Sequence, residues 1–311
     1  MSNSRLFQIA ALGRPLHLIG GLLFFGLGNA IAAYSGHPIN WSLALGGLLA
    51  VWAIQLMTHY SNEYFDLEAD LANQTPTAWS GGSRVLVGGQ IAPAFALRIA
   101  LAFAILGVGT SVIVTLASPA PWPTALLLAL ALGLAWSYSA PPLRLNWRAM
   151  GELTGALLVP GLTTLVGFQL QAATLTLLPL LAIVPLCCFQ FAMLVAVNYP
   201  DAVGDTAVGK TTLVVLLGGQ RAAQLHLAAL ALPYLLLPLL ISAGLPWQIA
   251  ALLLCAAPLA GWLGWRVARG AWHEPAAWDG LGFWSIGLLM SSAGLELVGF
   301  LLLNGSDLLP G

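Results

Sequence analysis

The sequence predicts an all-α membrane protein that crosses the bilayer nine times. Three observations carry this. Hydrophobic residues make up 59% of the 311 positions and charged residues 7%, with a mean hydropathy of +0.89. A soluble chain is about 25% charged, and so few charges could not cover a water-facing surface. The apolar stretches run unbroken for about twenty residues, as a spanning helix requires, whereas a barrel strand would alternate over about ten. Finally, every basic residue falls on one side of the nine-helix plan, a pattern that a miscounted helix would scramble.

The helices are expected at about 15–34, 41–61, 94–117, 122–138, 153–171, 176–197, 222–243, 246–265 and 281–303. Arg5 and Arg14 precede the first, whose flanks and Ala30-Ile31-Ala32 also loosely resemble a cleavable signal peptide. The stretch is long for that, and its removal would leave an even number of helices for the same loops. Arg84 and Arg98 follow the second helix, with Arg98 placed to snorkel from the third. Arg144 and Arg148 follow the fourth, which Pro141-Pro142 ends. Lys210 and Arg221 follow the sixth, and Arg266 and Arg269 the eighth. The opposite loops, 35–40, 118–121 and 172–175, carry no basic residue, nor does the tail 304–311. Positive residues stay cytoplasmic, so the N-terminus is expected inside and the C-terminus outside, with residues 1–311 forming one domain.

Other classes are excluded on the same figures. Three Cys in this length do not make a disulfide scaffold, the apolar content excludes disorder, and a net charge of −1 with no basic run argues against nucleic acid.

Six of the eleven acids sit in two short segments at the ends of the second and sixth helices, 59–70 and 198–205. Acids beside hydrocarbon need a partner, a cation or a function. Asn62, Asp66 and Asp70 recur every four residues, which puts them on one stripe of a helix. Glu63 and Glu68 point elsewhere and are expected to be solvated. Asp201 and Asp205 repeat the spacing, after a Pro200 that ends a helix or opens a new turn. Two facing carboxylate stripes suit a hard divalent cation such as magnesium, which takes one or two carboxylates and completes its shell with water and phosphate. Cys187, Cys188, Cys255 and the five scattered His read as packing residues.

Each acid pair is followed by a glycine-containing loop with a cation: Ser80-Gly81-Gly82-Ser83-Arg84, and Gly209-Lys210-Thr211-Thr212 with the only lysine of the chain. Glycines let backbone N–H groups approach a phosphate, and the cations pair with its oxygens. The second loop is not a P-loop, since no strand leads into it and the preceding glycine is missing. A third segment on the same side, from Tyr138 through Pro141-Pro142, Arg144, Asn146-Trp147-Arg148 and Gly151 to Glu152, adds an aromatic hydroxyl and a guanidinium.

This constellation resembles the UbiA superfamily of intramembrane prenyltransferases, over almost the whole chain and including Arg14-Pro15 at the first helix. The resemblance implies nine helices around a central cavity open sideways to lipid, and magnesium-dependent transfer of a polyprenyl group from a polyprenyl diphosphate to an aromatic or other lipophilic acceptor. Carried over residue by residue, Asn62, Asp66 and Asp70 would hold one magnesium, and Asp201 and Asp205 a second. Arg84, Arg144 and Lys210 would bind the diphosphate, with Asn62 and Asn198 beside them. Tyr138 would line the reacting end and share catalysis with the four aspartates. The 80–84 loop and Gly151-Glu152 look most like the dihydroxynaphthoate polyprenyltransferases of menaquinone biosynthesis. Para-hydroxybenzoate or a lipophilic alcohol is the alternative acceptor. No general base stands out among Glu63, Glu152 and His59. With the basic residues cytoplasmic, the acid segments face the cytoplasm, and a bacterial inner membrane is expected. A cation-coupled transporter would use its acids at the bilayer midplane, not at one face.

Overall fold

A computed structural model of the chain describes residues 5–306. The first four residues and the tail from Asp307, on which part of the terminus expectation rests, lie outside the described residues. The described residues contain eight long apolar helices and one bent pair: α1 Pro15–Tyr34, α2 Trp41–Phe65, α3 Pro93–Ala117, α4 Pro121–Ser139, α5 Gly151–Ala172, α6 Leu177–Asn198, α7 Gly219–Ser242, α8 Trp247–Leu254 with Ala257–Ala268, and α9 Pro275–Gly305. All nine expected helices are present. The boundaries move by a few residues, most at α9, which starts six positions earlier, at Pro275.

Local chemistry explains the ends and irregularities. Asn40 caps α2, its side chain accepting the Leu43 N–H at 3.2 Å. Proline opens α3 and α4, where its missing N–H costs nothing. Pro160 lies inside α5, where the missing N–H coincides with a widened turn over residues 157–162. The two halves of α8 meet at 47° around Cys255 and Ala256, because Pro258 in the first turn of the second half cannot continue the ladder. Short helices fill the connections at the polar end: Arg5–Leu12, Leu67–Ala72, Ala202–Ala207 and Leu213–Leu217. The Pro200 segment is therefore a turn followed by one and a half turns of helix, as its sequence implies.

The helices pack as a ring. α1 lies against α5 and α9, α2 against α3 and α4, α6 against α7 and α9, and α8 against α9. The interior encloses a cavity of about 360 Å³. Its lower wall is apolar, with Phe24, Leu128, Leu158, Met193 and Met290 from five helices. Its mouth lies where the loops after α2, α4 and α6 meet. Thr75 Oγ1 donates to the Pro200 carbonyl at 2.9 Å, and the Thr211 N–H to the Trp147 carbonyl at 3.1 Å. Large apolar side chains cover the outside, as a bilayer solvent requires: Ile105, Leu116, Trp122 and Leu235 are each more than 70% exposed.

Candidate active site

The first acid stripe is built across a helix break. α2 ends at Phe65, Asp66 takes the turn, and Leu67–Ala72 resumes the helix. The i→i+4 bonds from Asp66 N to Asn62 O and from Asp70 N to Asp66 O, both 2.9 Å, carry the register through, so Asn62, Asp66 and Asp70 share one face on the cavity. Asp66 is the hub. Its Oδ2 accepts from Asn62 Nδ2 at 2.8 Å, Asn146 Nδ2 at 2.7 Å and Lys210 Nζ at 3.3 Å, and its Oδ1 from Trp147 Nε1 at 2.7 Å. Asp70 stands over Gly82, whose φ of +72° and absent Cβ leave room for the carboxylate.

The second pair comes alongside through a close backbone approach. Gly204 sits between Asp201 and Asp205, and a Cβ there would lie 2.9 Å from both N and Cα of Asn73. Only glycine brings this short helix flush with the end of the first segment. Asn73 then donates to Asp201 Oδ1 at 2.7 Å. Asp205 Oδ1 lies 3.4 Å from Lys210 Nζ. The lysine is 8% exposed and bridges the two acid segments. Its loop is held by the pairing of Thr211 with 147–149, so the segment after α4 positions both Lys210 and the Asp66 donors.

Of the other residues singled out from sequence, Tyr138 and Asn198 line the cavity. Asn198 Nδ2 donates to Glu152 Oε1 at 2.8 Å, which also accepts the Leu213 N–H at 2.9 Å, so Glu152 ties three elements together. Arg84 and Arg144 do not line the cavity. Arg84 Nη1 donates to the Asp70 carbonyl at 2.6 Å, and Arg144 stacks 3.5 Å over Trp147 while donating to the Phe65 carbonyl at 3.2 Å. Both brace the backbone that carries the acids.

Glu63 corrects the expectation of a solvated side chain, while Glu68 is exposed as expected. Glu63 is 2% exposed and pairs with Arg14 at 2.7 Å; it also accepts Ser83 N–H at 2.8 Å and Ser83 Oγ at 2.6 Å. Arg14 turns toward it because its backbone is left-handed, φ 47°. Sequence spacing showed that Glu63 left the stripe but not what it met. Replacing Glu63→Gln strands a guanidinium and loosens the 80–84 loop. A lower melting temperature in detergent, by several degrees, and about tenfold lower turnover are expected. Unchanged melting would refute the clamp. Asn73, Asn146 and Trp147 went unrecognised in the sequence as carboxylate partners, although the last two lie within the third segment singled out there.

The electrostatics suit added cations. Burial pushes Asp70 up to about 7, and the charges of Asp66 and Glu63 push the same way. Burial also pushes Asp205 up to about 7, against Lys210 and with Asp201. Burial raises Asp201 as well, outweighing Lys210 and the donors Ser80, Gly81 and Asn73. Burial opposes charge on Lys210, yet Asp66, Asp205, Asp201 and Asp70 together raise it above its ordinary range. Four carboxylates thus share one ammonium, and Asp205 Oδ2 and Asn146 Oδ1 are buried without a partner. Among the described residues no three His, Cys, Asp or Glu converge to hold a metal by themselves. Hard oxygen donors that leave a shell incomplete fit magnesium with a phosphate-bearing ligand.

The likeness to known proteins agrees with this geometry. Among curated proteins, the 1,4-dihydroxy-2-naphthoate octaprenyltransferase of Bacillus subtilis (strain 168) is 25% identical over 250 residues, covering 80% of this chain and 78% of the relative. Among solved structures, a UbiA homolog from Aeropyrum pernix K1 superposes with a TM-score of 0.69 at 19% identity, covering 94% of this chain and 98% of that one. A UbiA homolog from Archaeoglobus fulgidus, bound to DMAPP and Mg2+, gives 0.64 at 20% identity, covering 96% and 98%. These structures share the fold. The model of the UbiA prenyltransferase family matches residues 22–287, a span that takes in both acid segments and the lysine loop. The chain therefore belongs to the UbiA prenyltransferase family and is a multi-pass membrane prenyltransferase.

Proposed function

We propose that this enzyme transfers a polyprenyl group from a polyprenyl diphosphate to 1,4-dihydroxy-2-naphthoate, with magnesium, as a step toward menaquinone. The observation that carries it is the charged mouth of Asp66, Asp70, Asp201, Asp205 and Lys210 directly above an apolar cavity. An allylic diphosphate is an anion on a hydrocarbon tail, and the site divides the same way. Asn62, Asp66 and Asp70 would hold one magnesium and Asp201 and Asp205 a second. Magnesium, when bound, supplies positive charge to the diphosphate oxygens. Lys210 adds a donor to the departing oxygen. The apolar wall keeps water from the allylic carbon, and the face of Tyr138 stabilises positive charge there.

The named relative from Bacillus subtilis supports this acceptor, and so does the chemistry. The ring carbon that bears the carboxylate is electron-rich beside a hydroxyl. It attacks the allylic carbon, the bond to diphosphate breaks, and carbon dioxide leaves its electron pair to the ring. No protein base is needed for that carbon, which suits a cavity without an obvious one. Membranes supplied with a long-chain prenyl diphosphate and magnesium should yield demethylmenaquinone from dihydroxynaphthoate and little product from para-hydroxybenzoate. Turnover of para-hydroxybenzoate alone would overturn the acceptor and keep the prenyltransferase.

The same reading puts the mouth on the cytoplasmic side of a bacterial inner membrane, since the ten basic residues all belong to that face of the nine-helix plan. In a background without Cys187, Cys188 and Cys255, an impermeant maleimide on intact cells should label Gly305→Cys and spare Ser83→Cys. The reverse pattern would invert the orientation.

A further inference from the structure

Helix α2 and the turn that ends it present a column of polar side chains along the cavity wall: Gln55, His59, Asn62 and, in the turn, Asp66. Asn62 and Asp66 serve the charged mouth, and the lower two have no part in the chemistry above. Gln55 Oε1 and His59 Nε2 are both buried, and neither has a hydrogen-bond partner. The rest of each group is fixed. Gln55 Nε2 donates to the His17 carbonyl at 2.6 Å, and the His59 ring meets the His17 ring edge-on with centroids 5.5 Å apart. Gly21 of α1 stands against Gln55 Oε1, and a Cβ there would collide with it. A buried polar atom left without a partner costs about 1–3 kcal/mol. Two of them, one turn apart on the wall of an open cavity, are accounted for if a ligand supplies what is missing.

We infer that Gln55 and His59 are the acceptor-recognition pair, each taking one of two hydroxyls set para on an aromatic ring. This rests on the dihydroxynaphthoate reading and adds the residues that select it. Side chains four apart on a helix have Cβ atoms about 5–6 Å apart, the scale of two para oxygens on one ring. Gln55 Oε1 can only accept, so a hydroxyl must donate to it; the His59 nitrogen accepts or donates according to its tautomer. A hydroxyl that donates its proton in this way pushes electron density into the ring, which favours attack on the allylic carbon. His59 lies about 10 Å along the helix from Asp66, so the ring sits below the diphosphate, against the wall and not in the mouth.

The test is equilibrium binding to the purified full chain in detergent, with 1,4-dihydroxy-2-naphthoate and 1-hydroxy-2-naphthoate as probes. The wild type should prefer the dihydroxy acid about tenfold or more, because a site built around a hydroxyl rejects the analogue lacking it. Gln55→Met and His59→Leu should each weaken dihydroxynaphthoate binding about tenfold. Affinity for a non-reacting prenyl diphosphate analogue should be unchanged, which also reports that the variants fold. Gly21→Ala, which displaces the Gln55 oxygen without touching its chemistry, should act in the same direction. Equal affinity of the wild type for the two acids, or unchanged binding in both wall variants, overturns the inference. If the wild type binds neither acid but transfers to another acceptor, the dihydroxynaphthoate reading fails. The KM for that acceptor then decides the wall: a rise in both variants keeps Gln55 and His59 as its site, and no rise removes them.

Discussion

Asp66→Asn should lower turnover at least a hundredfold while the protein remains folded. The side chain sits where the two acid segments, the lysine loop and the segment after α4 meet, and both its oxygens are engaged by donors from Asn62, Asn146, Trp147 and Lys210. An amide keeps the size but offers one acceptor instead of two, so it turns an N–H₂ toward a donor. It also removes a negative charge from the place proposed for the cations and the diphosphate. Loss of a metal ligand or a preorganised electrostatic group costs about a hundredfold or more. Stability should change little, because the like-charge crowding that helps hold Asp70 up near 7 is relieved at the same time. Asp201→Asn should behave alike, since its carboxylate is oriented by Asn73. Glu68→Gln, at an exposed position two residues along and on the other face, should leave turnover within about twofold. Steady-state turnover and a melting curve check all three. Equal losses at Glu68 and Asp66 would refute the division of the segment into a working face and a solvated one.

That division shows what could be read from the chain and what could not. The spans were legible because a bilayer demands unbroken apolar runs, and the breaks within them follow from Pro160 and Pro258. The stripe of Asn62, Asp66 and Asp70 was legible because four-residue spacing survives even where the helix turns at Asp66. Glu63 was not, because its surroundings are made by residues far along the chain: Arg14, 49 positions earlier, and Ser83, 20 later. Arg84 and Arg144 raise the same difficulty from the other side. Their charge and their side of the membrane are visible in the sequence, but a guanidinium can turn to a phosphate or to a carbonyl. The fold turns these two to the carbonyls of Asp70 and Phe65. Neutral partners such as Asn73 and Trp147 carry no charge pattern, so only the three-dimensional arrangement identifies them.

Lys210→Met should remove activity and also destabilise the protein, and a second substitution should separate the two effects. Lys210 is the one ammonium among four acids, 3.3 Å from Asp66 and 3.4 Å from Asp205, and almost wholly buried. Methionine keeps the length and packing of the stem but leaves two buried carboxylates facing each other. Breaking a buried pair by removing one partner costs about 3–5 kcal/mol, so the metal-free variant should melt well below the wild type. Lys210→Met with Asp205→Asn removes the stranded charge along with the lysine. It should recover most of the melting temperature, since a neutral pair in that place no longer repels Asp66. Turnover should not recover, because the proposed donor to the departing diphosphate oxygen is still missing and a proposed magnesium ligand has gone with it. Lys210→Arg should fall between: it keeps the charge, but a planar fork is wider than an ammonium held by two carboxylates at these distances. The expected order of KM for the prenyl diphosphate is wild type, then Lys210→Arg, then the double variant. A double variant that regains both stability and turnover would make the lysine a structural counter-ion only, and would move diphosphate recognition to other residues at the mouth.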